Sequence, residues 1–125
     1  MNLITAFHIA ATEDYEEVER LVDLGVALDS VDSAGNTALI IATMNFEFEI
    51  ATFLIEHGSN VNIQNKMKDS ALMIASIVGD FDLVQKMVKN GAKVSLKNKK
   101  GQTALDLAEA NENMVIAEYL IKMGA

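Results

Sequence analysis

The sequence predicts an all-α solenoid: helix–turn–helix units stacked in a row, with hairpin-like turns between them. Two observations carry this. Thr37-Ala38-Leu39-Ile40-Ile41-Ala42 recurs as Ser70-Ala71-Leu72-Met73-Ile74-Ala75 and again as Thr103-Ala104-Leu105-Asp106-Leu107-Ala108, with a step of 33 residues each time. Gly25, Gly58, Gly91 and Gly124 keep the same step. A fixed period of this length marks a stacked array, in which each unit buries its apolar face on its neighbours. An imperfect earlier copy, Thr5-Ala6-Phe7-His8-Ile9-Ala10, lies 32 residues before Thr37, so the 125 residues hold four copies. The expected organisation is one domain over 1–125, with repeats at about 2–31, 32–64, 65–97 and 98–125, the first and last acting as caps.

Taken in order, residues 2–12 read as a first helix, with Leu3, Phe7 and Ala10 or Ala11 at helical spacing. Glu13-Asp14-Tyr15-Glu16-Glu17 feeds the second, since carboxylates favour the positive end of a helix dipole. Val18, Leu21 and Val22 give it an apolar stripe, and Gly25 ends it in a left-handed position that glycine fills without a Cβ penalty. Residues 26–36 cluster Asp, Ser, Gly and Asn around single apolar residues, which is turn chemistry. Asp32-Ser33-Ala34-Gly35 recurs in register as Asn65-Lys66-Met67-Lys68 and Asn98-Lys99-Lys100-Gly101. Thr37, Ser70 and Thr103 stand as N-caps. Leu39, Leu72 and Leu105 are expected in the core, and Ala42, Ala75 and Ala108 where two helices approach closely. The second helices carry Ile50, Leu54 and Ile55, then Leu83, Met87 and Val88, then Ile116, Leu120 and Ile121. Each helix spans roughly 7–10 residues, too short to be stable alone, so stability must come from stacking.

Composition narrows the function. Half of the chain is hydrophobic, enough for a core. There is no cysteine, which excludes disulfides and thiolate metal sites. Two histidines, His8 and His57, leave little for a catalytic or zinc centre, and no Ser/His/Asp set or calcium loop is visible. No metal or cofactor and no catalysis are expected. The start has neither a basic region nor a long apolar run, so no signal peptide is expected, and no stretch approaches the ~18 apolar residues of a membrane helix. A cytoplasmic location is the simplest expectation. The net charge is −8, unevenly placed: residues 1–62 carry eleven Asp/Glu against Arg20 alone, whereas residues 63–125 carry seven against nine Lys. In a linear array this is a gradient along the axis, able to steer a partner or a second copy.

At this level of detail the chain resembles the ankyrin repeat. The family pattern runs D-x-x-G-x, then T-P-L-H-x-A, then a second helix ending near L-L-x-x-G-A-x-V-N. Asp32-Ser33-Ala34-Gly35-Asn36-Thr37-Ala38-Leu39 follows it, as do Ile55-Glu56-His57-Gly58-Ser59-Asn60-Val61-Asn62 and Gly91-Ala92-Lys93-Val94-Ser95. The resemblance covers essentially the whole chain. It departs at the proline, which is alanine in every copy, and at the histidine, kept only as His8 and replaced by Ile40, Met73 and Asp106. Lys68 stands where Gly35 and Gly101 stand, and Phe46 where Gly79 stands, which predicts mild strain if those turns keep a positive φ.

The resemblance implies a protein–protein interaction module that binds through a concave face made of turn tips and first helices. Carried over by position, that face comprises Met44, Lys66, Met67, Ile77, Val78, Lys99, Lys100 and Asn111, with Met67, Ile77 and Val78 as exposed apolar anchors and the lysines as rim. For Ile77 and Val78 the competing reading is that they extend the core. The expected partner is another protein of unspecified identity. The alternative is a nucleic-acid-associated protein using Lys66, Lys68, Lys97, Lys99 and Lys100, although these lack interleaved aromatics and sit in a chain of net −8. The acidic run Glu13, Asp14, Glu16, Glu17 and Glu19 reads first as a solvated helix turn and second as a site for a cation or a basic partner. No membrane contact is expected. A monomer is expected, with weak self-association, acidic end to neutral end, as the alternative.

Overall fold

The computed structural model describes residues 2–125 and contains eight helices of seven to nine residues among them. They are α1 (Leu3–Ala10), α2 (Tyr15–Asp23), α3 (Ala38–Met44), α4 (Phe48–Glu56), α5 (Ala71–Val78), α6 (Phe81–Lys89), α7 (Ala104–Ala110) and α8 (Met114–Lys122). Odd-numbered helices stack on one another as an inner layer, even-numbered ones as an outer layer, and each pair packs across the layers. One continuous apolar cluster runs the length of the array.

Local chemistry sets the helix ends. The side chains of Thr37, Ser70 and Thr103 accept hydrogen bonds from the backbone N–H of Ile40, Met73 and Asp106, so each closes an orphan donor. Asp106 returns the bond to Thr103, completing a capping box. The first repeat departs from this register: Asn2, not Thr5, caps α1, which starts earlier than its counterparts. At the other ends, the amide nitrogens of Asn45, Asn90 and Asn111 reach back to the carbonyls of Ile41, Lys86 and Leu107, and His57 Nδ1 meets that of Phe53. These bonds satisfy carbonyls that a helix end leaves free.

The tips are held by one residue each. Asp32, Asn65 and Asn98 accept two backbone N–H bonds apiece, at 2.9–3.0 Å, folding the following residues into a tight turn. Successive tips are tied to each other: the Lys66 amide donates to Ala34 O and the Lys99 amide to Met67 O, both at 3.0 Å. Gly35 lies at φ +79°, and a Cβ there would come within 2.9 Å of the Lys66 nitrogen. Lys68 (φ 60°) and Phe46 (φ 61°) do keep the left-handed conformation, and Glu112 (φ 59°) joins them at the counterpart of Gly79.

The core follows the repeat with one systematic exception. Leu39 and Leu72 are fully buried, as are Ala42, Ala75 and Ala108. Leu105, expected beside them, is only half-buried, and Ile121 is exposed where Ile55 is buried. Among the described residues nothing stacks beyond α7 and α8, so the face that buries Leu39 and Leu72 is open at Leu105. The same end explains two substitutions. His8, Ile40 and Met73 are buried, and their counterpart Asp106 is exposed; Ala11, Thr43 and Ser76 are buried, and their counterpart Glu109 is exposed. At the first repeat Glu17, paired with Arg20, stands where Ile50, Leu83 and Ile116 are buried. Both ends of the described array thus carry charge at positions that are apolar or small inside it. The Arg20 hydrogen bond and charge also hold the Glu17 carboxyl below its ordinary range.

His8, the one surviving histidine of the pattern, is buried, with Nε2 2.9 Å from Ser30 O in the following turn. Ser59 is a local mismatch. Its hydroxyl is buried without a hydrogen-bond partner, at a position where the next repeat has Ala92. Ser59→Ala is therefore expected to raise stability by about 1 kcal/mol, since it removes an unsatisfied polar group. Urea unfolding measures this, and a loss of stability would mean that the hydroxyl is hydrogen-bonded after all.

Candidate functional site

The tips and the inner helices enclose two grooves. One, of about 500 Å³, lies between the Asn65 and Asn98 tips and α5 and α7. Met67 and Ile77 are its exposed apolar groups, 52% and 42% accessible; Lys99, Lys100 and Asn111 border it. Five of the eight residues singled out in the sequence therefore converge here. The amide of Asn111 is committed to the Leu107 carbonyl, which fixes its orientation.

The other three lie elsewhere. Lys66 is exposed at its tip but outside this groove. Val78, expected on the surface, is half-buried and packs against the core while Ile77 faces out, since consecutive residues of a helix point about 100° apart. Met44, the counterpart of Ile77, lies in the second groove, of about 620 Å³, with Ile4, Ile9 and Val31. That trio went unnoticed in the sequence. The counterparts of Ile9, which are Ile41, Ile74 and Leu107, are buried, whereas Ile9 is 54% accessible, with no earlier unit packed on it among the described residues. Val31 is placed by an antiparallel bridge to Thr37.

The charge around the first groove is fixed by the tips. Lys66 and Lys68 project from one tip, Lys99 and Lys100 from the next, all exposed. Asp69 is the carboxylate in that groove, and Asn98 Nδ2 holds it at 3.3 Å. The arrangement is an apolar centre with a mainly cationic rim, suited to an apolar side chain flanked by acidic residues.

A third groove lies on the opposite side, formed by outer-layer helices only. It takes Tyr15 from α2, Phe53 from α4 and Lys86 from α6. Tyr15 and Phe48, which line it, recur with Phe81 at the repeat step, a pattern that core residues share. Burial, followed by the charges of Glu19, Glu49 and Glu56, pushes the Tyr15 phenol above its ordinary value.

Among the described residues no group of three or more His, Cys, Asp or Glu is placed to hold a metal ion. No helix among them is long and apolar enough to cross a membrane.

Comparison with known proteins agrees with this architecture. A family model of three ankyrin repeats matches residues 2–65, and one of many ankyrin repeats matches residues 54–108. No curated protein matches the chain. Ankyrin repeats are in general protein–protein interaction modules. With the period, the capped helix pairs, the linked tips and these matches in agreement, the chain belongs to the ankyrin repeat family.

Proposed function

We propose that this protein is a non-catalytic scaffold that binds another protein through the groove between its Asn65 and Asn98 tips. The observation that carries the reading is the convergence of Met67 and Ile77, from a tip and from α5, beside Lys99 and Lys100. Exposed apolar side chains set in a charged rim are the usual anatomy of a binding surface. The complementary partner offers an apolar anchor between acidic residues. Met44 and its neighbours in the second groove extend the contact along the same face.

The molecule acts as a monomer in this reading. End-to-end stacking of two copies would bring Glu13 and Glu17 of one against Asp106 and Glu109 of the other, and like charges resist that approach. The lysine tips favour an acidic protein patch over nucleic acid, because Asp69 shares the groove and no aromatic side chain stands there to stack a base.

The test is affinity capture from a lysate of the native source, wild type beside the Met67→Asp, Ile77→Asp double variant. Both positions are about half exposed, and circular dichroism first establishes that both proteins are folded. A protein retained by the wild type and lost by the variant is the expected result. Retention of the same protein by both would move the site away from this groove. Retention of nucleic acid in place of protein, lost steeply with salt, would favour the other class of partner.

A further inference from the structure

The outer-layer groove has a different chemistry from the tip groove. It encloses about 330 Å³ across α2, α4 and α6. Tyr15 and Phe53 meet edge to face in it, their ring centres 5.5 Å apart, and Phe53 in turn stacks on His57 at 3.9 Å. Glu49, Glu56 and Asp82 line the same groove. Aromatic surface beside carboxylates attracts cations twice over, through the ring quadrupole and through direct pairing.

The carboxylates here lack internal neutralisation. Arg20 is the sole cation of residues 1–62, and it is bound to Glu17. The other ion pair among the described residues is Lys86 with Asp82, at 2.7 Å. Glu49 and Glu56 have no cationic partner within the described residues. Lys86 also shows that an ammonium is accommodated in the groove: its Nζ lies 3.4 Å from the Thr52 hydroxyl, and its side chain remains partly exposed.

We propose that this groove is a second docking surface, in which an arginine side chain of a basic protein segment lies against the partly exposed Tyr15 ring, itself backed by the buried Phe53, and pairs with Glu49 and Glu56. Arginine suits the site better than lysine, because a planar guanidinium can stack on a ring and present parallel N–H groups to carboxylates. The surface uses neither the tips nor the inner helices, so a partner here and one in the tip groove can bind together. The protein then bridges a basic segment on its outer side and an acidic one on its inner side.

The experiment is fluorescence anisotropy with a labelled arginine-rich peptide and a lysine peptide of equal length and charge. Wild type is compared with Glu49→Gln, Glu56→Gln and with a control of equal charge change at the far end, Glu109→Gln, Glu118→Gln. All four positions are exposed, so each protein is expected to fold, as circular dichroism will verify. The groove variant is expected to bind the arginine peptide about tenfold more weakly or worse, and the control within about twofold of wild type. Lys86→Ala, which removes the competing internal cation, is expected to tighten binding. The arginine peptide is expected to bind several times more tightly than the lysine peptide. Equal losses in groove variant and control would overturn the proposal in favour of diffuse charge. So would equal affinity for the two peptides, weaker binding by Lys86→Ala, or no binding to wild type at low salt.

Discussion

Leu72→Ala is expected to cost about 2–5 kcal/mol, the range for removing a fully buried leucine from a core that cannot close around the cavity. Leu72 is in α5, whose neighbours are α3 on one side and α7 on the other, and it is 1% accessible. A solenoid is stabilised by its nearest-neighbour interfaces, so a defect in a central repeat weakens contacts that hold both halves together. Leu105 is the same residue in the same register one repeat later, and it is half-buried. Leu105→Ala is therefore expected to cost clearly less, below about 2 kcal/mol, because less of the side chain leaves an enclosed site. Urea unfolding followed by circular dichroism measures both. Equal losses would mean that α7 is covered as α5 is, contrary to the open end described above.

Most of the fold was legible in the sequence because the period writes it several times over. N-caps, small residues at close approaches and terminal glycines each recur at one step, so a reading made in one repeat is checked by the next. What escaped were the effects that break the repetition. Leu105 looks like Leu72 in sequence, and its exposure depends on what stacks against α7 among the described residues, not on its own local sequence. Val78 follows Ile77 directly, and only the orientation of α5 against its neighbours decides which of them faces outward. Asn2 takes over the cap in a first helix that starts earlier than its counterparts. The site was partly legible for the same reason: Met67 and Ile77 come from different elements, and positional analogy brought them together. The outer groove was missed because Tyr15, Phe48 and Phe81 recur as a core residue would. Their spacing alone does not show that Tyr15 and Phe53 border an open cavity ringed with carboxylates.

Met73→Asp is the second large effect, and it tests what distinguishes an inner repeat from a terminal one. The fourth repeat already has aspartate at this position, where Asp106 is exposed and bonds back to the Thr103 amide. In the third repeat the position is 1% accessible. An aspartate there would have the same cap available, since Ser70 occupies the place of Thr103. Ser70 already caps α5, so the aspartate would add only this return hydrogen bond, worth about 0.5–1.5 kcal/mol. Against it stands a carboxylate buried without a cation, which costs about 3–5 kcal/mol. Burial therefore outweighs the cap, and Met73→Asp is expected to destabilise by several kcal/mol or to abolish cooperative unfolding. Asp106→Ala is expected to lose only the cap contribution. The pH dependence provides an independent check. A buried, unpaired carboxylate has a raised pKa, so the defect in Met73→Asp shrinks as pH falls and the group takes up a proton. Urea unfolding of wild type and variant across the carboxylate range reads the difference. If Met73→Asp proves no worse than Asp106→Ala, or its defect does not shrink in acid, the position is not sealed by the neighbouring repeat, and the stacking of α5 on α7 must be looser than described.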